Sequence, residues 1–196
     1  AVALGALAVG GYAQILTGDE GIAALSWKYM LWYYDQMDVI YAPSQATRDE
    51  LVAKGINPAK VRVYPRGIDI ERFHPAKRNG IFKKQYRLPE GTRLLYVGRV
   101  SKEKNLHLLA EAFERLVAEG QPVQLVVVGD GPYLAEMKAR LNGRPCCFTG
   151  YLNGEALAAV YASADLFVFP SATDTFGNVV LEAQASGIPV IVSDQG

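Results

Sequence analysis

The chain has 196 residues, with 20 basic and 20 acidic side chains and a formal net charge of zero, a balance that argues against general nucleic-acid binding. Half of its residues are hydrophobic, which is ordinary for a globular chain and enough to give one large or two small domains a real core. Its two cysteines, Cys146 and Cys147, are neighbours that would point to opposite faces of a strand. They lack metal-ligand spacing and do not suit a structural disulfide. They read as small core residues in a reducing compartment, which points to the cytoplasm.

The first residues, AVALGALAVGG, are apolar but too short to span a bilayer, and they lack the basic start of a signal peptide. The chain does not begin with methionine and stops directly after a strand-like run, which predicts a piece of a longer protein. Thr17-Gly-Asp-Glu20 has the spacing of a capping box and predicts a helix to about Gln36. Trp27, Tyr29, Trp32, Tyr33 and Tyr34 crowd that helix. They suit packing against a neighbouring domain, the alternative being a surface for a lipid acceptor or a membrane interface. Val39 to Ala42 predicts a buried strand, the helix after Pro43-Ser44 ends at Lys54-Gly55, and Val61 to Tyr64 predicts a second strand. Residues 1–69 thus read as the end of one α/β domain. Residues 70–92 lose periodicity and collect Arg72, Lys77, Arg78, Lys83, Lys84 and Arg87, which predicts a linker, either solvated or resting on anionic lipid.

From Arg93 strands and helices alternate regularly, so residues 93–196 form the second domain. Strands are expected at Leu94 to Val97, Val123 to Val128, Cys146 to Thr149, Leu166 to Pro170 and Ile188 to Val192. Between them run helical patterns, among them Leu106, Leu109, Ala110, Phe113, Leu116 and Val117 on one face, stopped by Gly120. Alternation of this kind, with apolar runs on the strands, predicts a parallel sheet covered on both faces. Ligands of such sheets bind beyond the carboxyl ends of the strands. Four segments fall at that edge: Gly98 to Lys104, Gly129-Asp130-Gly131, Gly150-Tyr151 and Asp174 to Gly177.

The last of these opens the stretch TDTFGNVVLEAQASG, where Asp174 and Glu182 stand eight positions apart. Gly177 sits at the mouth of a helix over Asn178 to Ser186, and Gly187 stands where a helix ends in a left-handed residue. A helix N-terminus offers unpaired N–H groups and a positive dipole end to a phosphate, and a glycine there lets the ligand approach the backbone. The two carboxylates can accept hydrogen bonds from hydroxyls. Phosphate beside hydroxyl-rich groups points to a nucleotide sugar. Arg99 could grip a diphosphate bidentately and Lys104 act as a point charge, or both could be ordinary loop cations. Gly129-Asp-Gly-Pro132 fails as a dinucleotide fingerprint because Leu134 stands at the third glycine position, so a turn between strand and helix is expected there. No cluster has metal spacing, and His74 and His107 read as structural or exposed.

YVGRVSKEKN (96–105), VVGDGP (127–132), Pro-Arg-Gly-Ile-Asp (65–69) and TDTFGNVVLEAQASG together resemble family 4 glycosyltransferases of the GT-B fold. The resemblance runs from about Thr17 onward and is closest to lipid-directed members, such as sulfoquinovosyldiacylglycerol synthases and GDP-mannose-dependent mannosyltransferases. It implies two Rossmann-like parallel-sheet domains, here an incomplete N-terminal, acceptor-side one and a C-terminal donor domain lacking its last elements. It also implies a retaining, metal-independent hexosyltransferase with no cofactor, since the UDP- or GDP-sugar is a substrate. By this resemblance Glu182 binds the ribose hydroxyls and Asp174 faces the donor sugar. Phe176, Gly177, Asn178 and Val179 meet sugar and diphosphate through their backbone. Arg99 and Lys104 hold the diphosphate, next to Gly98, Gly129 and Tyr151 in the donor site. The implied partners are a nucleotide-sugar donor and a hydroxyl or lipid acceptor, with peripheral contact at the inner membrane surface and no nucleic acid. One departure stands out: the residues ahead of Thr17 carry nothing like the acceptor-side HTDFP loop. Two other functions therefore stay open, a donor-binding module without turnover and a nucleotide-sugar epimerase.

Overall fold

The computed structural model describes residues 20–64, 67–172 and 177–194. They fall into two compact units divided between Gly67 and Ile68. In the first, helix α1 (Glu20–Asp35) is followed by strand β1 (Ile40–Ala42), helix α2 (Gln45–Ala53) and strand β2 (Val61–Val63). The two strands pair in parallel. Ser44 caps α2, its Oγ accepting from the Thr47 amide at 3.1 Å, so the helix begins directly after the Pro43-Ser44 break. Met30, Tyr34, Ile40, Leu51, Ile56 and Val61 form the core of this unit. Of the aromatic group on α1, Tyr34 is buried in that core. Trp27 is half-buried with the Lys54 ammonium 4.2 Å from its ring centre, and Tyr29 and Trp32 are exposed. The capping box expected at Thr17 and the turn at Pro65-Arg66 lie outside the described residues.

The second unit holds a five-stranded parallel sheet made of β3 (Thr92–Val97), β4 (Val123–Val128), β5 (Cys146–Gly150), β6 (Leu166–Phe169) and β7 (Val190–Val192). Their order is β5-β4-β3-β6-β7. The chain runs outward from the central β3 and then returns to its other side, a reversal that opens a crevice at the carboxyl edge. Both middle strands are apolar runs, and Leu94–Val97 and Leu125–Val128 are buried throughout, as required of strands covered on two faces. The covering helices are α4 (Leu106–Ala118), α5 (Leu134–Arg140), α6 (Gly154–Ser163) and α7 (Asn178–Ala185). On α4 the expected face is the buried one, with Leu106, Leu109, Ala110 and Phe113 facing in. Helix α7 closes as a Schellman turn at Gly187 (φ 76°): the Gly187 amide donates to Gln184 and the Ile188 amide to Ala183.

Residues 70–92, expected as a linker, are packed into this unit. They carry a 3-10 turn (Pro75–Lys77) and the short helix α3 (Ile81–Lys84). Phe73, Phe82 and Leu88 lie buried in the sheet domain's core. Lys77 pairs with Glu155 and Arg78 with Asp165, each at 2.8 Å. The three apolar anchors are spaced too irregularly to show a period, so the basic residues between them dominated the pattern.

The histidines take no part in the crevice. His74 accepts from the Ala76 amide to start the 3-10 turn, and His107 is exposed on α4. Cys146 and Cys147 are free thiols, half-buried on β5. Among the described residues no group of His, Cys, Asp or Glu could hold a metal ion, and no helix is long and apolar enough to cross a membrane.

Candidate active site

Two loops meet back to back at the carboxyl edge, one after β3 and one after β4. The buried Tyr96 phenol turns up beneath the first and donates to the Arg99 carbonyl at 2.8 Å, fixing the Arg99-Val100 peptide. The Gly98 amide donates to Val128 and the Val100 amide to Asp130, which ties this loop to the second. Gly129 (φ 130°) is forced by that approach: a Cβ there would fall onto the Gly98 carbonyl oxygen. The Gly129-Asp-Gly-Pro132 segment is thus the expected strand-to-helix turn. On its other side the Gly129 amide donates to Gly150 at 2.8 Å. The β4–β5 register shifts there, Val128 pairing with Gly150 and Thr149 left over. This bulge sits directly before Tyr151, which is exposed.

The loops and α7 surround one cavity of ≈ 390 Å³. Gly98, Arg99, Gly129 and Asp130 line it together with Tyr151, and Val179 and Glu182 of α7 complete it. Val97, Val128, Leu152 and Leu157 add an apolar wall. Of the residues expected in a donor site, Gly98, Arg99, Gly129, Tyr151, Val179 and Glu182 are therefore brought together. Lys104 is not among the lining residues. It lies on the 3-10 turn Lys102–Lys104 and is 9% exposed. Gly177 (φ 59°) caps α7 from the N-terminal side and Asn178 is its first residue, adjacent to the lining without belonging to it. Asp174 and Phe176 lie outside the described residues.

Glu182 is half-buried and its carboxylate accepts a hydrogen bond from the Tyr161 hydroxyl of α6 at 2.8 Å. Burial raises the Glu182 pKa above the ordinary glutamate range, and the Tyr161 bond pulls in the opposite direction. Burial, and then the nearby Glu182 charge, push the Tyr161 phenol far up. It therefore remains a donor across the working pH range. Sequence reasoning passed over Tyr161 and the apolar wall. Tyr161 lies 21 positions from Glu182 on another helix, a separation that no local spacing signals.

The arrangement combines a guanidinium, two closely packed glycine loops, the first turns of a helix and a carboxylate, with apolar surface beside them. It can receive a ligand with an anionic middle, hydroxyls on one side and a flat apolar part. The sequence over residues 78–196 matches the description Glycosyl transferases group 1, and residues 15–72 match Glycosyltransferase Family 4. The chain belongs to the group 1 glycosyl transferases. A GDP-mannose-dependent alpha-mannosyltransferase of Corynebacterium glutamicum is 40% identical over 87% of this chain and 39% of its own length. A sulfoquinovosyl transferase of Arabidopsis thaliana is 35% identical over 87% of the chain and 33% of its own length. This chain thus spans between a third and two fifths of those relatives. Among solved structures, Anabaena HepE in complex with UDP and glucose superposes with a TM-score of 0.75 at 22% identity, over 88% of this chain and 49% of that one. That likeness bears on the fold, which is the α/β class with parallel sheets expected from the sequence.

Proposed function

We propose that the protein to which this chain belongs moves a sugar from a nucleotide-sugar donor to a hydroxyl acceptor, with retention of configuration and without a metal ion or further cofactor. The supporting observation is the meeting of Arg99, the Gly98 and Gly129 backbones and Glu182 around one cavity at the carboxyl edge of the sheet. The names of the relatives, a GDP-mannose-dependent transferase among them, agree with a nucleotide sugar as donor. In this reading the second unit is the donor domain and the first unit lies on the acceptor side. Glu182 accepts the ribose hydroxyls, Tyr151 and the Leu152–Leu157 wall flank the base, and Arg99 and Lys104 take the diphosphate. Asp174 and Phe176, together with the backbone of Gly177, Asn178 and Val179, face sugar and diphosphate. The bond from the sugar's anomeric carbon to the diphosphate breaks while one to the acceptor oxygen forms, and the acceptor proton is released. Charge grows on the departing diphosphate, so cations and amides aimed at it stabilise the transition state more than the ground state. A lipid acceptor at the inner, cytoplasmic face of a membrane fits the resemblance to lipid-directed members.

The test is a thermal-shift panel of UDP, GDP, ADP and their common sugars on this chain, with and without EDTA. A nucleotide at a hundred times its dissociation constant should add about 2.7 kcal/mol of stability. The shift should survive chelation. Loss of it in EDTA would refute metal independence, and no shift with any nucleotide would refute the donor site.

A further inference from the structure

We infer that Tyr161 is a positioning residue for the donor: its hydroxyl fixes the Glu182 carboxylate in the orientation that accepts the ribose hydroxyls. The inference rests on the reading of Glu182 as the ribose contact. Tyr161 is fully buried and does not line the cavity, whereas Glu182 does. Its ring is held on two sides, edge-on by Phe73 at 5.6 Å and tilted against Phe167 at 5.8 Å, so the hydroxyl has little freedom of its own. From that fixed ring it donates to Oε2 of Glu182 at 2.8 Å. A carboxylate offers two oxygens and about four lone-pair sites. One site is taken by Tyr161, and the others leave Glu182, which lines the cavity, able to accept from a vicinal diol. An unheld glutamate side chain would have to be ordered by the ligand, and that cost would come out of the affinity. Here it is met before the ligand arrives.

The same bond favours the ionised form of the acceptor. Burial drives Glu182 toward its protonated form, and the phenol opposes this. A protonated carboxyl has lost one of the acceptor positions a diol needs. The other ionisable groups lining the cavity with it are Arg99, Asp130 and Tyr151, and on α6 the exposed Glu155 is engaged by Lys77. The adjoining strands β6 and β7 carry none.

Tyr161→Phe keeps the ring and its packing and removes only the donor. UDP and GDP affinities of this chain should be measured by calorimetry from mildly acidic to neutral pH, with melting temperatures alongside. The variant should bind about tenfold more weakly, and its acid-side loss of affinity should begin at higher pH than in the parent. A tyrosine needed only for packing would leave affinity and the position of that loss unchanged in this variant, which would overturn the inference. Glu182→Gln and the double variant complete the cycle. If Tyr161 acts through Glu182, the double variant binds no worse than Glu182→Gln alone, and additive losses overturn it. Two failures are distinguishable. Full affinity in Glu182→Gln would remove the ribose reading and the inference with it, whereas weakened Glu182→Gln beside an unaffected Tyr161→Phe would remove only the role of Tyr161.

Discussion

Gly129→Ala tests whether the floor of the cavity depends on two backbones in contact. The new methyl would suffer twice. At φ 130° an L residue occupies a sparsely populated region, a strain of about 1–3 kcal/mol. Its Cβ would also fall onto the Gly98 carbonyl oxygen, a backbone atom of a residue whose amide is tied to the Val128 carbonyl, so it has little room to swing aside. Overpacking of this kind costs about 1–3 kcal/mol. Taken together the loss is about 4 kcal/mol, which for a chain of this size lowers the melting temperature by roughly 8–16 °C. Gly120→Ala is the control in the same unit. Its φ is 75°, and a Cβ there would have nothing within 4 Å, so only strain of about 1–2 kcal/mol remains. Thermal melts of both variants, with and without UDP or GDP, make the comparison. Gly129→Ala should melt well below Gly120→Ala and show a smaller nucleotide shift, because moving Gly98 also moves Arg99. Equal melting temperatures would refute the close-approach argument.

Glu182 also makes stability depend on pH. Its folded pKa is raised, burial being the chief cause, so the folded chain binds more protons than the unfolded one between the two values. The stability it contributes is fully present below the unfolded pKa and lost as pH rises through the folded one. Denaturant titrations of the ligand-free chain should show the parent losing stability relative to Glu182→Gln as pH rises above 4.5, and a gain would refute this sign. The cysteines give a chemical check on β5. Burial, followed by the Cys146 neighbour, pushes the Cys147 thiol up to about 12, and burial also raises Cys146. Iodoacetamide should therefore modify both slowly in the folded chain and quickly in denaturant. Rapid native labelling would show that this strand is not packed as described.

What could be read without coordinates follows the range of the interactions involved. The strand Val123–Val128 declares itself as an unbroken apolar run, and Gly187 declares a helix end, because both are local properties of backbone and side chain. Arg99 and Gly129 were legible because sheet topology sends their loops to one edge, and Glu182 because it belongs to the stretch TDTFGNVVLEAQASG that carries the family resemblance. The Tyr161–Glu182 bond, the register shift at Thr149 and the burial of Lys104 depend on which segments meet in space. No spacing encodes them. The packing of residues 70–92 went unread for the same reason: Phe73 and Phe82 find their partners on elements far along the chain.

That packed segment decides where the five-stranded unit can be separated from the rest. A cut at residue 93, where regular alternation begins, would strip Phe73, Phe82 and Leu88 from the core and take away the edge contact behind Tyr161. Loss of one buried phenylalanine side chain alone costs about 3–5 kcal/mol. It would also remove Pro75, whose Cγ lies 2.6 Å from where a Cβ on Gly187 would sit, and so bare the turn that ends α7. An expression clone of the sheet domain should therefore begin at Ile68, twenty-five residues upstream of the point that alternation alone would choose.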